Sequence, residues 1–283
     1  VTDPAPASSR RAIFLDVDGT YAHHGRVPDA HADAVRAARE AGHLVLLCTG
    51  RPVSLLPDHI TAAGFDGFIA GAGAYAVLGD EVLLDTRFPA ALAARAIEVL
   101  DAHGAMYFLE APDATHARPA TIEAMTAYLP RRSVHSQAEE RGRRDVTSAL
   151  HPTEDLSRVA FGKITSFHAE SPLPEIAALV GPEVAVIPSS IPDLGPGAGE
   201  MFLADVHKAV GIAAVVDRLG LAREQVVAFG DGPNDLEMLE YAGVSVAIEG
   251  SAPELLDLAD HVAASPDRGG LAEAFAALGL LDA

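Results

Sequence analysis

Asp16-Val17-Asp18-Gly19-Thr20 sets two carboxylates two positions apart at the end of an apolar run, with a glycine that permits a tight turn behind them. Side chains two apart on an extended segment face one way, so both acids can address a single reacting centre. Far downstream, Gly230-Asp231-Gly232-Pro233-Asn234-Asp235 crowds carboxylate and amide oxygens onto one glycine-containing loop. That crowding is costly without a counter-ion, and a hard cation held through oxygen accounts for it. Magnesium fits best, because it takes few protein carboxylates and keeps several waters. Between these segments Cys48-Thr49-Gly50-Arg51 ends a second apolar run. A hydroxyl and the backbone N–H groups of a strand-to-helix turn are what a phosphoryl oxygen needs. A plain turn is the commoner meaning of such a tetrapeptide taken alone. Lys208 opens a helix, and a lone lysine there is ordinarily a surface residue.

Other readings of the same residues fail or weaken. A calcium loop counted from Asp16 would need glutamate at its twelfth position, where Val27 stands, and a strand rather than a helix precedes it. Gly71-Ala72-Gly73-Ala74-Tyr75-Ala76 approximates a dinucleotide fingerprint, but no helical pattern follows over 77–84. The 12 histidines, His23, His24 and His207 among them, show no pairing at helical spacing that would suggest zinc. The single cysteine, Cys48, excludes an intramolecular disulfide and fits a reducing cytoplasm. A formal charge of −20 opposes nucleic acid and anionic lipid surfaces, and a small anionic substrate fits only where a cation or a local cluster of donors cancels the field. No apolar run has the roughly 18 residues of a membrane span.

The elements that must position these residues follow from their periodicity. Uninterrupted apolar runs at 12–17, 44–48 and 68–70, with helical stretches at 29–41 and near Pro52, read as β-α-β-α-β. The last third repeats the rhythm, with helices at 208–219, 233–241, 252–259 and 271–278 and strands at 225–229, 244–248 and 261–263. This predicts a doubly wound α/β core with a parallel sheet, formed by 1–78 and 200–283. The residues between, 79–199, change texture. Extended pieces at 105–110, 160–168 and 183–187 alternate with helical ones at 90–103 and 174–179, which predicts an inserted α+β domain. Residues 1–10 read as a frayed tail. The stretch from Arg131 to Arg158 holds six arginines among acids, either a solvated loop or a set of cations for an anionic ligand.

In order and spacing, DVDGT, TGR, a lysine and GDGPND resemble the motif set of the haloacid dehalogenase-like hydrolases. An insert between the second and third motifs is similar to the subgroup with a large α/β cap, commonly phosphatases of sugar phosphates and related esters. Glu200, eight residues before Lys208, looks like the glutamate that precedes the lysine in that subgroup. Ala72 stands where the subgroup usually carries asparagine. The resemblance implies that Asp16 attacks phosphorus, that Asp18 protonates the leaving group and then activates water, and that Thr49 and Lys208 hold phosphoryl oxygens. Gly50, Arg51 and Asn234 join them in the implied phosphate site. Mg²⁺ is expected on Asp16, the Asp18 carbonyl and Asp231. Asp235 completes the metal-site acids, with Asn234 and Asp235 orienting metal waters and Lys208. The expected substrate is a small phosphorylated metabolite, selected by residues such as Arg118, Arg131, Arg132 or the loop near His151. A phosphomutase of the same chemistry and a non-catalytic phosphate sensor are the alternatives.

Overall fold

The computed structural model describes residues 10–128, 149–189 and 194–281. Two compact units emerge: one runs through Gly50, resumes over Leu56–Leu84 and again from His207, and the other comprises Arg51–Leu55 and Asp85–Val206.

In the first unit, strands β1 (Ala12–Leu15), β2 (Leu44–Cys48), β3 (Gly67–Ala70), β4 (Tyr75–Leu78), β5 (Glu81–Asp85), β12 (Val226–Gly230), β13 (Val244–Ile248) and β14 (His261–Ala263) form one sheet. Its order is β14-β13-β12-β1-β2-β3-β4-β5. All neighbours from β14 to β3 run parallel, and β4 returns antiparallel to β3. The apolar runs are unbroken because both sheet faces are buried. Ile13, Leu15, Val45, Leu47, Val227 and Phe229 pack on one face with Val35 of α1 (Asp29–Glu40) and with Leu271 and Phe275. Their alternates Ala12, Phe14, Leu44, Leu46, Val226 and Ala228 pack on the other with Ile212, Val215, Met238 and Leu255. Period-two alternation thus divides each strand between two cores, the doubly wound arrangement.

The second unit holds a sheet ordered β10-β11-β9-β6-β7-β8, from β6 (Met106–Glu110), β7 (Thr115–Ala117), β8 (Leu150–Pro152), β9 (Lys163–His168), β10 (Val184–Pro188) and β11 (Gly199–Leu203). Tyr107, Leu109, Ile164 and Met201 bury one face against α3 (Ala90–Ala102) and α5 (Leu173–Val180), which follow α2 (Asp58–Thr61) and α4 (Pro119–Tyr128) in chain order. No helix among the described residues is long and apolar enough to cross a membrane.

The boundaries differ from those expected at 78/79 and 199/200. Strand β5 extends the first sheet, with Leu83 and Leu84 packed on its core. β11 pairs with β9 and β10, so the second unit continues to Val206. Both segments have apolar positions that suit either sheet, and pairing rather than pattern decides. The helix expected near Pro52 is only a short turn, Val53–Leu55, followed by α2. Residues 1–9, and 131–148 of the arginine-bearing stretch, lie outside the described residues.

Candidate active site

β1 and β12 lie side by side in parallel, with Leu15 opposite Phe229, so the residues that follow each strand emerge together at the carboxyl edge of the sheet. That edge is where open α/β sheets bind ligands. The Asp16 N–H still donates to the Phe229 carbonyl at 2.9 Å, which keeps the acid aligned with the strand end. Beyond it the chain turns back, with Tyr21 N–H donating to the Asp16 carbonyl at 3.1 Å and Ala22 N–H to Val17 at 2.7 Å. Gly19, at φ +94°, allows this turn, and a Cβ there would overlap the Asp231 carboxylate. Thr20 Oγ1 donates to Asp231 Oδ1 at 2.8 Å.

Lys208 opens α6 (Lys208–Leu219) and is not a surface residue, being 1% exposed. Its Nζ donates to Asp16 Oδ1 and to Asp235 Oδ1, each at 2.5 Å. Gly73, at φ +105°, sits so close to the His207 carbonyl that no side chain fits, which lets the Gly71–Gly73 turn pack on the start of α6. Asp235 is fully buried, and its Oδ2 accepts Asp231 N–H at 3.0 Å and Gly232 N–H at 2.9 Å. Both Asp235 oxygens therefore bind groups of the protein, one orienting the loop and the other Lys208.

Carboxylate oxygens of Asp16, Asp231 and Asp235 all lie within 4.8 Å of one another. Burial, then the charge of Asp235, pushes the Asp16 carboxyl well above the usual range, while Lys208 pulls it down. Burial likewise raises Asp231, against the Thr20 hydrogen bond. Burial works against the Lys208 ammonium, but Asp16 and Asp235 outweigh it and hold the proton on Nζ. Fully ionised, three carboxylates against one ammonium would carry a surplus of two negative charges, which one divalent cation would balance. The donors are all hard oxygens, the set that suits magnesium rather than a soft metal.

The haloacid dehalogenase-like hydrolase family model matches residues 13–275, nearly the whole chain. The chain belongs to that family. Among curated relatives, the Bacillus subtilis protein named "Putative phosphatase YkrA" is 27% identical over 280 residues, covering 96% of this chain and 98% of that one. The B. subtilis 5-amino-6-(5-phospho-D-ribitylamino)uracil phosphatase YitU is 38% identical over 73 residues, 26% of this chain and 27% of its own. Among solved structures, the HAD subclass IIB sugar phosphatase BT4131 superposes with a TM-score of 0.74 at 22% identity, covering 95% of this chain and 99% of that one. A B. subtilis haloacid dehalogenase-like hydrolase gives 0.77 at 19% identity, with 95% and 99% covered. These two share the fold of this family member.

The fold draws Asp16, Asp231, Asp235 and Lys208 into one cluster. Asp18 lies on the exposed side of the same turn. Thr49 is buried at the end of β2, its N–H donating to the Ile69 carbonyl at 2.8 Å and its carbonyl accepting Ala72 N–H at 3.2 Å. Gly50 follows in the same unit, where a Cβ would stand 3.8 Å from Asn234 Nδ2, so the TGR turn and the GDGPND loop approach each other. Arg51 belongs instead to the second unit. Glu200 lies on β11 and pairs with Lys163 at 3.1 Å. Arg118 forms a bidentate pair with Asp101, 2.7 Å for each nitrogen, over the Tyr107 ring. Arg131 and Arg132 are outside the described residues. His151 lies beside His116, with ring centres 5.3 Å apart. Thr20 was not singled out from sequence, although its place inside the DVDGT motif was the available signal.

Proposed function

We propose that this family member is a Mg²⁺-dependent phosphatase that hydrolyses a small phosphorylated metabolite through an aspartyl phosphate. The observation that carries the reading is the convergence of Asp16, from the end of β1, with Asp231 and Lys208, from distant parts of the chain, around one buried centre. Phosphatases among the relatives support the same class, and the likeness to the sugar phosphatase BT4131 favours a sugar phosphate.

In this reading the Asp16 carboxylate attacks phosphorus, which divides one difficult displacement into two. Asp18, exposed on the adjoining turn, gives a proton to the leaving alkoxide and later takes one from the water that cleaves the acyl phosphate. Lys208 and Thr49 hold phosphoryl oxygens, with Gly50 and Asn234 completing the phosphate site within this unit. Asp16, the backbone carbonyl of Asp18, and Asp231 would hold Mg²⁺, with Asp235 behind them fixing Lys208 and the loop. When bound, Mg²⁺ supplies the positive charge that lets a carboxylate approach a phosphate dianion. The inserted unit serves as the cap of the family, and the cytoplasm as the working compartment.

The test is hydrolysis of p-nitrophenyl phosphate by the wild-type chain and by Asp16→Asn, with and without chelator. Turnover that falls at least about 10³-fold in the variant, and that returns to the chelated wild type with magnesium, supports the reading. Undiminished turnover in Asp16→Asn, or recovery with zinc alone, refutes it.

A further inference from the structure

His31, in α1, is wholly buried. One ring nitrogen, Nδ1, lies 3.0 Å from the Tyr21 carbonyl. The other, Nε2, accepts the backbone N–H of Leu271 at 3.3 Å, in the first turn of the last helix, Gly270–Ala277. A carbonyl can only accept and a backbone N–H can only donate, so the ring carries its proton on Nδ1 and is neutral. Burial also holds this imidazole below the usual histidine range, against the pull of the Tyr21 carbonyl.

Tyr21 is where the loop that begins at Asp16 closes on itself, through its N–H to the Asp16 carbonyl. Its ring is fully buried, edge-on to Phe65 at 5.4 Å and stacked near His31 at 6.4 Å. The residue before it, Thr20, carries the hydrogen bond to Asp231. The imidazole thus ties the far end of the Asp16–Tyr21 loop to an element nearly at the end of the fold. Tyr21 and Leu271 are both fully buried, so water has no access there to replace either bond, and losing one leaves a buried carbonyl or N–H unpaired.

We propose that His31, as the neutral imidazole, is a positioning residue for the reaction: by clamping Tyr21 to Leu271 it sets where the loop presents Asp16 to Lys208 and Thr20 to Asp231. The catalytic half rests on the phosphatase reading, whereas the clamp rests on this geometry alone.

The experiment compares wild type, His31→Asn, His31→Gln and His31→Leu by amide hydrogen exchange and by p-nitrophenyl phosphate kinetics in saturating Mg²⁺. The asparagine amide keeps a donor near the Nδ1 position, whereas leucine keeps neither bond. His31→Leu is expected to speed exchange at residues 16–22 and at Leu271 selectively. Its kcat should fall roughly 10- to 100-fold with KM within about twofold, because a misplaced nucleophile slows chemistry more than binding. His31→Asn, which keeps the arm to Tyr21 and loses the arm to Leu271, should recover only part of the turnover while exchange at Leu271 stays fast. If His31→Leu does not fold, His31→Gln, which lengthens the arm and displaces the donor, replaces it in the same comparison. Unchanged exchange at 16–22 overturns the clamp, and faster exchange with unchanged kcat overturns the positioning role. A wild-type chain inert on every phosphomonoester overturns the phosphatase reading and the catalytic half with it, while exchange still decides the clamp.

Discussion

The Thr20 hydroxyl and the Asp231 carboxylate meet at 2.8 Å across 211 positions of sequence. This bond fixes one lone-pair direction of Asp231 and leaves the other oxygen for a cation. Replacing Thr20 by Val keeps the shape and removes the donor. The expected result is a 10- to 100-fold loss in magnesium affinity or turnover, the approximate range for groups that orient metal ligands. A magnesium titration of the hydrolysis rate checks it, and superimposable curves would count against an orienting role.

Lys208 separates Asp16 from Asp235, two acids that are 6% and 0% exposed. Lys208→Met leaves both carboxylates buried without their counter-charge. Removing one partner from a buried ionic group costs about 3–5 kcal/mol. Urea unfolding at neutral pH should therefore show a clearly lower midpoint, along with loss of activity.

Ala72 occupies the left-handed region at φ 59° and ψ 26°. An L-residue there costs roughly 1–2 kcal/mol, and glycine gives back part of the relief through its greater freedom when unfolded, roughly 0.5–1 kcal/mol. Ala72→Gly should raise stability by about 0.5–1 kcal/mol on that balance. The asparagine usual at this position in the subgroup tolerates the same conformation, which gives a backbone reason for it besides any substrate contact. Thermal melts of the two chains decide the sign.

Stability should also fall in mild acid through His31. Its folded value lies below the ordinary 6.5, so the unfolded chain takes up the proton first. The unfolded state then binds more protons, and stability rises with pH across that interval. The contribution is complete above the unfolded value and is lost as pH falls through the folded one. The groups against the ring are the Tyr21 phenol, pushed up to about 12 by burial, and the Leu271 N–H, so neither adds a titration in that window. Melting temperature against pH should slope less steeply there in His31→Asn than in the wild type.

Much of this architecture was legible in the sequence because local chemistry dictated it. Parallel strands buried on both faces carry nearly unbroken apolar runs, so β1, β2, β12 and β13 announced themselves, with Ser245 the polar exception in β13. The unit boundaries did not, since Leu83, Leu84 and β11 are apolar enough for either sheet and only hydrogen-bond pairing assigns them. Arg118 shows the same limit for the site. Its charge suited an anionic ligand, and Asp101 holds it instead at 2.7 Å.

The amino-acid sequence by itself determined which side chains were present for chemistry: acids two apart after a strand, a hydroxyl after another, a lysine at a helix start, and a loop of oxygens. Their types and short spacings are local properties, readable without a fold. Tertiary structure alone decided that Lys208 is buried rather than exposed, that Asp235 serves Lys208 and its own loop, and that His31 joins Tyr21 to Leu271. Those roles depend on distances between residues far apart in the chain. Such distances are set by how strands pair and helices pack, not by any property of the neighbouring sequence.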